Sequence, residues 1–221
     1  MPGPLAFWGL MKPGGRATFS RMRAMLPLLL LLSVVPAHAT PTDGAGTGNP
    51  AATMPGPDAL QAPGALDDLY KRLAASKTSE EAEAIAAAID RVRMRSGSDT
   101  IDLLMGRALQ ASQSGDNALA IELLSAVIGL KPDFTEAWNK RATLLFMENN
   151  FARSMSDIAE TLKRDPRHYG AWAGLGMILY QSDDKKRAYD AFKRALAINP
   201  HLEDIKKTVE DLTLDVEGQG I

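Results

Sequence analysis

The chain has 221 residues, 25 of them basic and 27 acidic, and it contains no cysteine. That excludes disulfides, thiolate metal sites and lipobox-type attachment, and the charge balance leaves no general attraction to nucleic acid or anionic lipid. The length allows one domain or two small ones, held together by packing alone.

Residues 1–39 read as a secretory signal. Arg16, Arg21 and Arg23 lead into the apolar run MLPLLLLLSVVPA, followed by Ala37-His38-Ala39. A basic start, a short apolar core and small residues two apart place cleavage after Ala39. The run falls short of the roughly 20 apolar residues of a membrane span. A retained anchor is the alternative, but cleavage with no stable membrane insertion is the expectation, in the periplasm of a Gram-negative bacterium or secreted. The translation start stays open among Met1, Met11 and Met22, the last giving the most regular signal. Cleavage removes four basic side chains and no acidic ones, leaving 21 basic against 27 acidic. Residues 40–64 follow, with five Pro, five Gly and five Ala. Such a segment cannot bury enough apolar surface to offset its ordering entropy, so it reads as a disordered tether.

From Leu66 onward the pattern is helical. Leu66, Leu69, Tyr70, Leu73 and Ala74 recur at helix spacing, and Thr78 with Glu81 forms a capping box ahead of Ala82, Ile85, Ile89 and Val92. Residues 65–100 are thus predicted to form a helical hairpin. No stretch alternates in the manner of a strand, so the fold class is all-α.

A period of 34 residues then sets in. Pro132, Pro166 and Pro200 recur at that spacing, dividing the chain into 101–134, 135–168 and 169–202 without a gap. The eighth place holds Ala108, Ala142 and Gly176, and the twentieth Ala120, Ser154 and Ala188. The fourth holds Leu104, Trp138 and Trp172, and the twenty-fourth Leu124, Ile158 and Phe192. Between the two helical halves, Gly115, Asn149 and Asp183 share one place, and all three types tolerate a left-handed turn. Small residues at places eight and twenty let paired helices approach near the lower end of the usual 8–10 Å separation, and each proline stops the second helix.

This pattern resembles the tetratricopeptide repeat family, whose 34-residue helix–turn–helix unit carries W-x2-L-G-x2-Y, then A-x3-F, then P. Trp172, Leu175, Gly176, Ala188, Phe192 and Pro200 match it, with Leu179 in place of the tyrosine. The second unit departs at Arg141, where leucine is usual, at Ser154 and at Ile158; the first departs at Leu104 and Ala111. The resemblance implies a solenoid in which each hairpin stacks on the next. On that reading residues 65–100 are an N-terminal cap or degenerate repeat. Residues 203–221 form a C-terminal capping helix, with Leu202, Ile205, Val209, Leu212 and Val216 along one side and a frayed tail.

The same resemblance places Met105, Leu109, Asn139, Thr143, Phe146, Met147, Met177 and Tyr180 along the inner curve as a candidate groove for a polypeptide partner. Met105, Leu109 and Lys140 stand where some relatives carry a lysine and two asparagines that clamp a C-terminal carboxylate, so that activity is not expected. The alternative is that the tether or cap helices cover the groove. No catalytic, cofactor or metal residues are expected: His168 and His201 sit at unit junctions without partners of ligand spacing, and Asp183-Asp184 reads as a helix cap. Lys185-Lys186-Arg187 and Lys193-Arg194 form a basic convex patch. It is a solvated face or a docking surface for an acidic partner or the acidic N-terminal half of a second copy, making self-association a further possibility. Without interleaved aromatics it does not suit nucleic acid. The function expected is a non-catalytic adaptor or scaffold that binds a protein or peptide.

Overall fold

The computed structural model describes Ala62 and residues 64–218. The predicted signal at 1–39, most of the tether and residues 219–221 lie outside the described residues. Among the described residues there are nine helices and no strand: α1 (Ala65–Ala75), α2 (Ser79–Arg93), α3 (Asp99–Gln113), α4 (Asn117–Leu130), α5 (Thr135–Met147), α6 (Phe151–Arg164), α7 (Tyr169–Gln181), α8 (Lys185–Ile198) and α9 (Glu203–Glu217).

The repeat is written into the turns. Gly115, Asn149 and Asp183 adopt φ of 84°, 57° and 60°. In each case the next residue caps the following helix: Asp116, Asn150 and Asp184 accept hydrogen bonds from the backbone N–H of Leu119, Arg153 and Arg187. A left-handed residue turns the chain back, and a side-chain acceptor then satisfies one of the orphan donors of the new helix. Asp184 is therefore a cap. Thr78 opens α2 in the same way, accepting from Glu81 N at 3.2 Å, while the Glu81 carboxylate reaches back to Lys77 N at 3.1 Å.

Within a unit, places eight and twenty bring the two helices together as their size requires. Ala108, Ala142, Ala120, Ser154 and Ala188 are buried, and Ser154 Oγ donates to the Ala142 carbonyl on the facing helix at 2.7 Å. At Gly176 a Cβ would stand 2.4 Å from two atoms of the Phe192 ring, so the aromatic at place twenty-four fills the space that glycine leaves. Leu124 and Ile158 occupy the corresponding buried positions.

Between units the links recur at the same interval. Trp138 Nε1 donates to the Pro132 carbonyl, and Trp172 Nε1 to the Pro166 carbonyl, each at 2.9 Å. Each half-buried tryptophan thus reads the end of the unit before it. Arg164 lies over the Trp138 ring at 4.9 Å and Arg194 over Trp172 at 4.6 Å. Arg141, the departure from the family's leucine, is held by Asp157 of α6 in a two-pronged pair at 2.7 and 2.9 Å and donates to Ser125 Oγ of α4 at 2.9 Å. α5 therefore has two water-avoiding sides because α3 and α4 flank one and α6 and α7 the other. Its Ala137 and Leu144 pack into the first unit's core.

From α3 to α9 each helix packs on the next. α9 closes the far end: Leu212 is buried against Leu179 and Phe192, with Ile205, Val209 and Val216 beside it. The N-terminal hairpin reaches the second and third units. Rather than stacking on α3, α1 packs on α2 and on α8. The chain leaves α2 through Gly97 at φ 76°, and Ser96 ties its N–H and hydroxyl to the Asp102 carboxylate at 3.0 and 2.6 Å.

Candidate functional site

The hairpin docks where the second and third units meet. Arg93, near the end of α2, donates to Asp165 Oδ2 at 2.8 Å and to the Arg167 carbonyl at 3.5 Å. Its guanidinium also meets the Tyr70 hydroxyl and lies over the Tyr70 and Tyr169 rings at 5.5 and 5.7 Å. Tyr70 OH donates to the same Asp165 oxygen at 3.3 Å. Arg167 covers the other face of this group, stacking on Tyr70 at 4.5 Å and pairing with Asp67 at 2.6 Å. At the C-terminal end of α1, His201 Nε2 meets the Ser76 carbonyl at 3.0 Å. Aromatic faces and a carboxylate surround a cation, the arrangement in which guanidinium is favoured over ammonium.

Behind Arg93 lies a buried polar group on the first helices of the units. Glu136 of α5 accepts from Lys140 at 3.2 Å and from Asn139 at 3.1 Å, and it meets His168 Nε2 at 3.3 Å. His168 Nδ1 accepts the Ala171 N–H at 3.1 Å, capping α7. An acceptor at Nδ1 puts the proton on Nε2, so a neutral imidazole satisfies both contacts. Burial, reinforced by Arg93, pushes the His168 pKa down. Burial works against ionised Glu136, but Lys140, His168 and Arg93 outweigh it and hold the carboxyl well below the usual carboxylate range. Asp90 of α2 moves the opposite way, pushed up by burial and by the nearby Glu136. Burial likewise raises the Tyr70 and Tyr169 hydroxyls. Arg93 Nε and the Tyr169 hydroxyl are buried with no hydrogen-bond partner.

The predicted groove residues separate on this scaffold. Met105 and Phe146 are core residues, 1% and 4% exposed, and neither offers a free surface. Met105 belongs to the core shared by α3, α4 and α5, and the Phe146 ring meets Phe151 across the turn into α6 at 5.6 Å. The resemblance put both on the inner curve; the packing around them buries both. Met147 is half-buried against the first core, while Met177 and Tyr180 are half-buried against the core that α9 completes. Leu109, Asn139 and Thr143 are half-buried as well, with Thr143 Oγ1 donating to the Asn139 carbonyl at 3.0 Å. Tyr70, Asp90, Arg93, Asp165 and Arg167 were not anticipated as a group, because no local pattern links residues 72 apart such as Arg93 and Asp165.

The basic patch is partly used within the fold: Arg187 pairs with Asp184 at 3.4 Å and Lys193 lies over the Tyr189 ring at 5.0 Å. Among the described residues no group of three His, Asp or Glu side chains is placed to hold a metal ion. No described helix is long and apolar enough to cross a membrane.

Stacked helix hairpins with small residues at the contact, a closing helix at one end and polar clusters at the unit junctions define the class of α-helical repeat solenoids. Tetratricopeptide repeat profiles match residues 105–160 and 169–202. A TPR repeat-containing protein of Rhizobium etli is 37% identical over 182 residues, covering 82% of this chain and 87% of that protein. The chain belongs to the tetratricopeptide repeat family. Among solved structures, it is similar to the Yersinia enterocolitica type III secretion chaperone SycD in complex with a peptide of the translocator YopD (TM-score 0.51, 15% identity, 53% of this chain and 95% of that one). It is also similar to the first TPR of Spaghetti bound to an HSP90 peptide, with a TM-score of 0.50, 15% identity, and coverage of 53% of this chain and 93% of that one. At these identities the likeness concerns the fold.

Proposed function

We propose that the chain is a non-catalytic protein-interaction module of the bacterial envelope. It captures a partner polypeptide on the side lined by α5 and α7, in competition with its own N-terminal hairpin. The observation that carries the reading is the docked hairpin itself, a polypeptide segment held at the link between α6 and α7 by Arg93 on Asp165 and Tyr70 under Arg167, with Arg93 also over the Tyr169 ring of α7. The docking is incomplete. A buried polar atom without a partner costs about 1–3 kcal/mol, and Arg93 Nε and the Tyr169 hydroxyl are two such atoms. Displacing the hairpin releases Arg93 Nε to water, and a partner that satisfies the Tyr169 hydroxyl competes on favourable terms. Two structural neighbours in complex with peptides support the choice of a peptide or protein ligand. Placement in the periplasm rests on Arg16–Arg23, the apolar run and Ala37-His38-Ala39.

A photo-crosslinking side chain at Thr143, introduced into the protein in its native cells, tests the reading. Heterologous adducts at Thr143, increased when Arg93→Ala loosens the hairpin, are expected, and the protein should fractionate with the periplasm. Adducts from Lys186 on the convex side with none from Thr143 would place the partner elsewhere.

A further inference from the structure

Place three of the second and third units holds Ala137 and Ala171, 0% and 1% exposed, and place ten holds Leu144 and Ile178, also buried. Ala137 and Leu144 lie in the core of the unit before them, so these two places mark the face by which a unit stacks on its predecessor. In the first unit the same places are Leu103, 57% exposed, and Gln110, also exposed. Among the described residues a stacking face lies bare there. The hairpin that would have covered it is docked on the Asp165–Tyr169 segment instead, and at the opposite end α9 covers the corresponding surface.

We propose that this face of α3 pairs with the same face of a second copy. Because α9 blocks the far end, head-to-tail growth is closed, and two bare ends meeting about a two-fold axis make a dimer that cannot extend. The surface is complementary to itself. Leu103 stands one turn from Gly106, where nothing lies within 4 Å of a Cβ position. In an antiparallel α3 pair, Leu103 of one copy seats in the Gly106 notch of the other. The same register sets Asp99 opposite Gln110, an acceptor facing an amide donor, and the two-fold repeats both contacts. Leu130, 65% exposed, borders an open cleft beside Ser98 and Thr100 at the start of α3 and extends the apolar surface.

Sedimentation velocity on the chain from Thr40 to Ile221, which contains the whole described fold, tests this. A concentration-dependent dimer is expected that persists in about 1 M salt, where charge contacts are screened within about 3 Å. Leu103→Asp should weaken it at least about tenfold, as a central apolar anchor does, with an unchanged circular dichroism spectrum. The Leu103→Cys variant, in a chain otherwise free of cysteine, should be linked to dimer by a short bismaleimide. A monomer at every concentration would overturn the proposal, as would a dimer that tolerates Leu103→Asp, one that salt dissolves, or a Leu103→Cys variant that gives no linked dimer.

Discussion

Removal of the Asp157 carboxylate is the most demanding test of how this solenoid holds together. Arg141 and Asp157 have side chains only 15% and 5% exposed, and Asp157 supplies both oxygens to the guanidinium. In Asp157→Ala the cation stays between α4 and α6 with only Ser125 and the Trp138 ring, 5.2 Å away, to satisfy it. Leaving one member of a buried pair uncompensated costs about 3–5 kcal/mol. For a unit of this size that corresponds to a fall in Tm of about 10 °C. The double variant Arg141→Leu/Asp157→Leu removes both charges and restores the leucine usual at this place in the family. It should recover most of the loss, since replacing a buried pair by packed apolar groups is neutral or stabilising. Urea unfolding followed both by tryptophan fluorescence, with Trp138 beside the lesion, and by circular dichroism gives the two free energies and exposes any loss of cooperativity between units. A single variant that loses less than about 1 kcal/mol, or a double variant no better than the single, would refute the pair's role in joining α4, α5 and α6.

Further outcomes follow from the same geometry. Gly176→Ala should destabilise by about 1–3 kcal/mol because its Cβ meets the Phe192 ring. Gly106→Ala, in open space, should stabilise the monomer by about 0.5–1 kcal/mol while weakening the dimer, both readable from urea midpoints at low and high protein concentration. Asn149→Ala should cost about 1 kcal/mol and Asn149→Gly almost nothing, since φ is 57° there. The melting temperature should fall as pH is lowered from neutral through the unfolded histidine pKa near 6.5. The His168 pKa is depressed in the fold, so the unfolded chain takes up the proton first and stability is lost on acidification. His168→Gln should flatten that part of the profile. Asp90, raised in the fold, acts in the opposite sense at lower pH, where its protonation favours the folded chain.

The sequence by itself determined the helical period, the turns and the contact within each hairpin. These depend on neighbours at most 34 residues away: the left-handed residue at Gly115, Asn149 and Asp183, the small residues opposite one another, and the proline that ends each unit. Such features are local, and steric limits on φ and on helix approach leave few residue types able to meet them. Only the tertiary structure decided where the hairpin lies and which inner-side residues stay accessible. Arg93 finds Asp165 through space, and neither residue carries a mark of the other in its surroundings along the chain. Met105 and Phe146 hold repeat positions that the family resemblance assigns to a groove, but burial is set by what packs alongside, and the repeat period does not encode that.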